Sequence, residues 1–278
     1  MRKLWVVISL VGLFGCSTPD YQSSDIIVLG HAGAGFPSIN NHYPINSEES
    51  ITQALFVHGA DGVEVDIQLS TDSQFVLFHD TRLESGANDT GFISDKNWES
   101  LKSLTRRDSR TALHDDVVMW RLEDLLNLID SLGLDIYLSL NIQNQYEVTD
   151  QSAYNALLVR QLGNLFAHYT GVTKTIVETR DHDCIVALKD LPQQWGIQLF
   201  FTGSLSQLNI ERNASYVDGF VTNYLDETES SIQNIRVLGK KVALYGVKIR
   251  QDIAPALKFK PDYIQTDNIP LTLSYLDR

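Results

Sequence analysis

Short segments rich in β-branched and aromatic residues alternate along this chain with longer segments of helical periodicity, and this alternation limits the possible folds more than any other feature. Eight segments are predicted to be strands: residues 26–30, 62–67, 135–141, 173–178, 196–201, 218–223, 241–247 and 262–266. Helices are predicted between them, several with a Ser, Thr or Asp that can cap the first turn: residues 47–58, 121–132, 151–169, 183–188 and 228–238. Eight strand–helix units within 278 residues favour an α/β fold with a single (β/α)8 TIM-type barrel over residues 25–278. The long connection over residues 80–120 is predicted to be an insertion after the second strand.

The second predicted strand carries two carboxylates and leads to a histidine. Glu64 and Asp66 are two residues apart, so their side chains lie on the same side of the strand. A turn-rich stretch and a second apolar run follow, which predicts a small hairpin that pairs Asp66 with Leu77 or Phe78 and returns His79 to the level of the two acids. Carboxylate oxygens suit a hard divalent cation, and an imidazole can transfer a proton beside it. The alternative interpretation is a half-buried hairpin with polar ends.

Motifs at the ends of the first strands occur in a specific combination. The first predicted strand ends in His31 and a glycine-rich loop with the pattern His-x-Gly. A Gly-Ala-Asp-Gly-Val-Glu-Val-Asp run ends at Asp66, and a Val-Leu-Phe-His-Asp run surrounds His79. Further matching segments are residues 46–49, 90–93 and 264–270. Over about residues 26–272, these motifs and their spacing resemble the glycerophosphodiester phosphodiesterase family.

The resemblance implies a metal-dependent hydrolase that acts on glycerophosphodiesters or related lipid-derived phosphodiesters. In such an enzyme Glu64 and Asp66 would hold Ca²⁺ or Mg²⁺, while His31 and His79 would act as acid and base. The implied reaction begins when a neighbouring hydroxyl attacks phosphorus, and water then opens the cyclic phosphate. A small phosphodiester is therefore the implied substrate.

Three positions depart from the family pattern. Ala32 stands where the family usually has an arginine after the first histidine. On the third predicted strand, Ser139 and Asn141 stand where the family usually shows a glutamate and a lysine. These departures leave two alternatives open: a non-catalytic lipoprotein that binds a phosphodiester or a metal, and a lyase that releases the cyclic phosphate.

Other residues at strand ends can replace the missing groups. Glu178, at the end of the fourth strand, can approach the metal from the neighbouring position, or it can be a solvated carboxylate. Arg180 or Lys248 can supply the missing positive charge. Tyr245 precedes Lys248, and a role in the pocket is favoured over a role in the core.

The first residues predict export to the bacterial cell envelope. Two basic residues precede a short apolar stretch, so residues 1–15 are predicted to be a signal peptide. The Leu-Phe-Gly-Cys run resembles a bacterial lipobox, which implies that Cys16 carries a lipid that anchors the protein to a membrane. Residues 16–24 would then be a tether, and residues 25–278 the barrel. The alternative is ordinary secretion with a cysteine at this position by chance.

Charge and cysteine content exclude two further classes. The net charge of −13 arises from 35 acidic and 22 basic residues, and no basic cluster offsets it, so nucleic acid is not expected as a partner. With Cys16 lipidated, Cys184 has no partner, and no disulfide is expected.

Overall fold

The computed structural model describes residues 25–38, 41–107, 116–145 and 147–278, and within them nine strands and ten α-helices are present. The strands are β1 (Ile27–Gly30), β2 (Gly62–Leu69), β3 (Phe75–Leu77), β4 (Tyr137–Ile142), β5 (Thr175–Thr179), β6 (Gln198–Thr202), β7 (Gly219–Asn223), β8 (Lys241–Val247) and β9 (Tyr263–Thr266). The helices are α1 (Glu48–Thr52), α2 (Trp98–Leu101), α3 (Leu122–Ser131), α4 (Gln151–Phe166), α5 (His182–Leu188), α6 (Leu191–Trp195), α7 (Gln207–Asn213), α8 (Glu229–Val237), α9 (Arg250–Lys258) and α10 (Ile269–Tyr275). Helix α1 continues directly into a π-helical segment, Gln53–Val57, so the helix predicted over residues 47–58 has two parts.

Eight of these strands close into a parallel barrel. Their order is β1-β9-β8-β7-β6-β5-β4-β2, and a parallel pairing of β1 with β2 completes the ring. Strand β3 pairs antiparallel with β2 outside the ring and forms the expected hairpin. The predicted TIM-type barrel is confirmed, and each predicted strand matches an observed strand with bounds shifted by at most two residues.

Alternate residues of the strands point into the barrel and form two layers of different polarity, because side chains alternate across a strand. The lower layer is a packed apolar cluster: Leu29, Ile176, Phe200, Val221, Ala243 and Tyr263. Two residues further along the same six strands, the side chains line an open cavity: His31, Glu178, Thr202, Asn223, Tyr245 and Gln265. The apolar layer closes the barrel below, so the polar layer can be reached only from the carboxyl ends of the strands.

The outward-facing strand residues pack against the helices in a second and larger core. Helix α3 illustrates the pattern, since its buried residues recur with helical spacing: Leu122, Leu125, Leu126 and Ile129. Side chains that cap helices α4, α5, α7 and α8 each accept a hydrogen bond from the first turn: Asp150, Asp181, Ser206 and Thr228. Each cap of this kind typically stabilises a helix by about 1 kcal/mol. No helix in the described part of the chain has the length and apolar character needed to cross a bilayer.

The connection from β3 to α3 forms a small lobe, as expected for the insertion, although residues 108–115 within it lie outside the described residues. The lobe has its own apolar cluster: Val76, Phe78, Leu83, Ala87, Ile93, Leu101 and Met119. Arg106 joins it to the barrel, because its buried guanidinium donates to the carbonyl oxygens of Ile45, Leu77 and Gly86. The guanidinium also lies 4.8 Å from the centre of the Phe78 ring. These contacts fix the segment on which His79 lies.

Candidate active site

A cavity of about 180 Å³ opens at the carboxyl ends of the barrel strands. The residues that line it come from nearly every strand: His31, Phe36, Asp66, His79, Asn141, Gln143, Glu178, Arg180, Thr202, Asn223, Tyr245, Gly246, Lys248 and Gln265. Both predicted catalytic histidines and the predicted metal ligand Asp66 therefore meet in one place. A wider cavity of about 310 Å³ lies outside the barrel against α3 and α4, and it contains none of these residues.

His31 follows β1 and is held by an acid from the other end of the chain. Its Nδ1–H donates to Asp267 Oδ1 over 2.7 Å, and its side chain is only 17% exposed. Burial opposes protonation, but the hydrogen bond to Asp267 and the charges of Asp267, Glu64 and Asp66 outweigh it and raise the pKa of His31 to about 9. His31 is therefore an imidazolium at neutral pH.

His79 follows the hairpin and lies across an aromatic ring from His31. Its Nδ1 is 3.0 Å from Asp80 Oδ1, and its side chain is 41% exposed. The hydrogen bond to Asp80 raises the pKa of His79, and the charges of Asp66 and Asp80 add to this increase, while burial lowers the pKa. The Phe36 ring centre is 5.2 Å from that of His31 and 5.8 Å from that of His79. The two imidazoles thus reach the cavity from separate sides, each oriented by its own carboxylate.

Glu64 lies below the histidines and has one oxygen without a hydrogen-bond partner. It is 1% exposed, and its Oε2 accepts a hydrogen bond of 2.8 Å from the Ala32 amide. Its Oε1 is buried, and no described residue donates to it. Burial and the neighbouring charge of Asp66 raise the pKa of the Glu64 carboxyl well above its ordinary value, although the charge of His31 lowers it. A buried carboxylate oxygen with no donor is a position where a cation would bind favourably.

Asp66 is surrounded by side-chain amides. Asn46 Nδ2 donates to one carboxylate oxygen over 2.8 Å, and Asn141 Nδ2 and Gln143 Nε2 donate to the other over 3.1 and 2.5 Å. The Asn46 side-chain oxygen also accepts from the Asp66 backbone amide over 2.9 Å. The carboxylate is therefore fixed in one orientation above Glu64 on the same face of β2.

Glu178 lies on β5, next to the strand that lacks the family's acid, and its role as a replacement for that acid stays a prediction. It is 1% exposed, so the alternative of a solvated carboxylate is wrong. Ser139 Oγ and Gln265 Nε2 donate to its Oε1, each over 2.7 Å, and Thr202 Oγ1 donates to its Oε2 over 2.8 Å. Burial raises the pKa of Glu178, and these three hydrogen bonds oppose the increase. Ser139, where the family pattern has a glutamate, thus binds a glutamate from the neighbouring strand.

The donor set fits a divalent cation at Glu64 and Asp66, although with few protein ligands. Among the described residues, no three His, Cys, Asp or Glu side chains form a group that could hold a metal ion. The partnerless Oε1 of Glu64 and the carboxylate of Asp66 are hard oxygen donors, which suit Ca²⁺ or Mg²⁺. Glu64 and Asp66 are the two ligands predicted from the sequence, and this assignment stays a prediction.

Two predicted positions gain a physical explanation. Ala32 is fully buried with a φ of 49°, and its amide donates to Glu64, so this position supports a carboxylate through its backbone. Tyr245 lines the cavity, as favoured from the sequence.

Cys16, the predicted lipidation residue, lies outside the described residues.

Sequence reasoning missed three residues that orient the site. Asp267 binds His31, while Asn46 and Gln143 bind Asp66. Asp267 lies in a segment that matches the family pattern, and it follows Gln265 by two residues, so strand alternation could have placed it at the cavity. Asn46 likewise begins a segment that matches the family pattern, residues 46–49, whereas no comparable signal marks Gln143.

Comparisons with known proteins identify the family that this chain resembles. Residues 39–271 match the model of the glycerophosphoryl diester phosphodiesterase family. A glycerophosphodiester phosphodiesterase of Caldanaerobacter subterraneus subsp. tengcongensis is 23% identical over 255 residues, which cover 91% of this chain and 98% of that protein.

Solved structures share the fold. A protein from Silicibacter pomeroyi superposes with a TM-score of 0.80 at 19% identity, over 91% of this chain and 93% of that one. A phosphodiesterase from Oleispira antarctica, solved in complex with the product sn-glycerol-3-phosphate, superposes with a TM-score of 0.74 at 19% identity, over 91% and 97% of the two chains.

Proposed function

Because the chain belongs to the glycerophosphoryl diester phosphodiesterase family, a family of phosphoric diester hydrolases, we propose that it hydrolyses glycerophosphodiesters or related lipid-derived phosphodiesters at the mouth of its barrel. The observation that carries the proposal is the convergence of His31, His79 and Asp66 on one cavity, with Glu64 buried below. The relative from Oleispira antarctica, whose product complex contains sn-glycerol-3-phosphate, supports the same substrate class.

The two histidines divide the proton transfers. Cleavage of a phosphodiester needs an acid to protonate the leaving alcohol and a base to accept the proton of the attacking hydroxyl. His31 carries a proton at neutral pH and is the acid in this proposal, while the more exposed His79, whose pKa is also raised, acts as the base once it has lost its proton. Asp267 and Asp80 hold the two rings through Nδ1, so each Nε2 is left for the substrate.

Glu64 and Asp66 would hold Ca²⁺ or Mg²⁺ beside the phosphate. When bound, the cation would neutralise charge on the phosphoryl oxygens and position the group for attack. The three amides around Asp66 and the Ala32 amide on Glu64 keep both carboxylates in place.

Turnover of glycerophosphocholine and glycerophosphoethanolamine by the purified full chain tests the proposal, with Ca²⁺, Mg²⁺ or a chelator present. His31→Ala and His79→Ala should each lower kcat by about 100-fold to 10,000-fold with little change in substrate binding. His168→Ala is the matched control, because this exposed histidine at the end of α4 lies outside the site and should leave turnover unchanged. The pH–rate profile of the wild type should be bell-shaped, and each active-site variant should lose one limb.

The open alternatives give different results in the same assay. A wild type that binds a phosphodiester through Glu64 but never cleaves it would be a binding protein. Accumulation of a cyclic glycerol phosphate without its hydrolysis would show a lyase. Turnover that survives both histidine substitutions would refute the proposed acid–base pair.

We also propose that Cys16 anchors the protein by a lipid to a membrane of the bacterial cell envelope. The support is the short apolar stretch before a Gly-Cys pair, which the sequence alone provides. Residues 16–24 are long enough to act as a short tether between that cysteine and β1.

A further inference from the structure

We propose that Arg180 and Lys248 together bind the phosphate group of the substrate, so that this chain holds the phosphate from β5 and β8 instead of from the loop after β1. The inference rests on the proposed function for the identity of the substrate. It assigns two residues outside the motifs shared with the family to the recognition of a phosphate monoester or diester.

Arg180 extends from the end of β5 into the cavity. It follows Glu178 by two residues, so both side chains are on the inner side of the strand, with Arg180 nearer to solvent. No ion pair joins Arg180 to Glu178, whose oxygens accept hydrogen bonds from Ser139, Thr202 and Gln265 instead. The described residues include no hydrogen-bond or ion-pair partner for Arg180, whereas Arg121 and Arg278 each bind an aspartate. A guanidinium with free donors beside two histidines matches the oxygens of a phosphate.

Lys248 reaches the same cavity because β8 contains a bulge. Tyr245 and Lys248 are three residues apart, so in a regular strand their side chains would point to opposite faces. The register of β8 against β9 shifts between Leu244 and Val247, and Gly246 within the bulge has a φ of 88°. The shift turns both Tyr245 and Lys248 toward the cavity, and bulges near active sites commonly re-aim a side chain in this way. No described residue forms an ion pair with the Lys248 ammonium.

The remaining positions cannot supply the positive charge. Ala32 has replaced the arginine of the family pattern at a fully buried position, and Asn141 has replaced the lysine and donates to Asp66. Among the described residues that line the cavity, Arg180 and Lys248 are the basic side chains besides the histidines.

The arrangement also suits the chemistry geometrically. Around the barrel, β5 is two strands from β2 through β4, and β8 is two strands from β1 through β9. The two cations therefore face the two histidines across the mouth. A phosphate between them would meet cations on one side and proton-transferring groups on the other, with Glu64 and Asp66 below.

Binding of sn-glycerol 3-phosphate to the full chain, measured by isothermal titration calorimetry in the presence of a chelator, tests the inference. Arg180→Gln and Lys248→Gln should each weaken binding about 10-fold to 100-fold, as expected for the loss of a charged hydrogen bond, and the double variant should bind more weakly than either. Arg180→Lys should recover part of the affinity, because it restores the charge without the planar fork. Arg250→Gln is the matched control, since Arg250 is also exposed, begins α9 two residues after Lys248 and does not line the cavity.

Three results would overturn the inference. In the first, the wild type does not bind the probe. In the second, the double variant binds it within twofold of the wild type. In the third, the double variant has a lower unfolding temperature, which would show that these side chains stabilise the fold. The failure of the proposed function is a separate result. A wild type that binds the probe through both cations but cleaves no diester refutes the function alone, whereas unchanged KM and kcat in the double variant refute the inference alone.

Discussion

Replacing Asp267 with Asn removes the negative charge that keeps His31 protonated. The amide of asparagine has almost the same shape as the carboxylate that it replaces. Asp267 lies after β9 and accepts the Nδ1 proton of His31 over 2.7 Å. The hydrogen bond and the charge of Asp267 come directly after burial among the influences on the pKa of His31. The Asn variant should therefore lower that pKa by about 1 to 3 pKa units, leaving the smaller contributions of Glu64 and Asp66.

The magnitude follows from the difference between the folded and unfolded chain. The pKa of His31 rises from 6.5 to about 9 on folding, and one pKa unit corresponds to about 1.36 kcal/mol, so the protonated ring contributes about 3 kcal/mol to the free energy of unfolding. Since the folded pKa is the higher one, this contribution is fully present below pH 6.5 and is lost as the pH rises through about 9. The wild type should exceed Asp267→Asn in stability most clearly near pH 6, and the difference should shrink above pH 9.

Two measurements check this reasoning, both in a chelator so that no cation perturbs the ring. NMR titration of the His31 imidazole gives its pKa directly, and urea unfolding at pH 6 and pH 9.5 gives the change in stability. Asp80→Asn is the control, because it should lower the pKa of His79 and leave His31 nearly unchanged. If His31 titrates at the same pH in the wild type and in Asp267→Asn, Asp267 is not the residue that raises the pKa of His31.

Three further outcomes are expected. Ca²⁺ or Mg²⁺ at about 100 times its dissociation constant should stabilise the wild type by roughly 2.7 kcal/mol, and changing both Glu64 and Asp66 to Ala should abolish this thermal shift; a wild type that shows no shift with either ion counts against the metal site. Cys16→Ser should move the protein from the membrane fraction to the soluble fraction without changing its fold, and a mutant that stays membrane-bound after normal processing would refute the lipid anchor. Gly246→Ala should lower the free energy of unfolding in urea more than Gly239→Ala. Both glycines have a positive φ, which costs an alanine about 1–2 kcal/mol, but only a Cβ at position 246 would meet another atom, the Asn223 side-chain oxygen on β7 at 2.7 Å. Equal losses in the two variants would show that the bulge is not tightly packed.

Local spacing predicted the first half of the site well. Glu64 and Asp66 share a face because strand side chains alternate, and the hairpin register follows from the turn between the two apolar runs. The expected pairing of Asp66 with Leu77 or Phe78 is confirmed, since Ile67 pairs with Leu77 and the Phe78 amide donates to the Asp66 carbonyl. Neither result depends on contacts from distant parts of the chain.

The partners of Asp267 and Gln143 could not be predicted in this way, because they are distant in sequence. Asp267 reaches His31 across 236 positions, and Gln143 reaches Asp66 across 77. Only closure of the barrel brings these pairs together. The re-aiming of Lys248 depends on a bulge, for which the sequence offers no more than the glycine at 246.

Glu178 shows how a barrel that departs from the family pattern can place an acid at the same mouth. Eight parallel strands bring their carboxyl ends together, so a side chain on a neighbouring strand can still face the same cavity. Asp66 pairs with Asn141 on β4, Asn141 pairs with Glu178 on β5, and all three residues line the cavity. Ser139, where the family pattern has a glutamate, donates a hydrogen bond to Glu178. The carboxylate on β5 therefore reaches the mouth that the family pattern serves from β4.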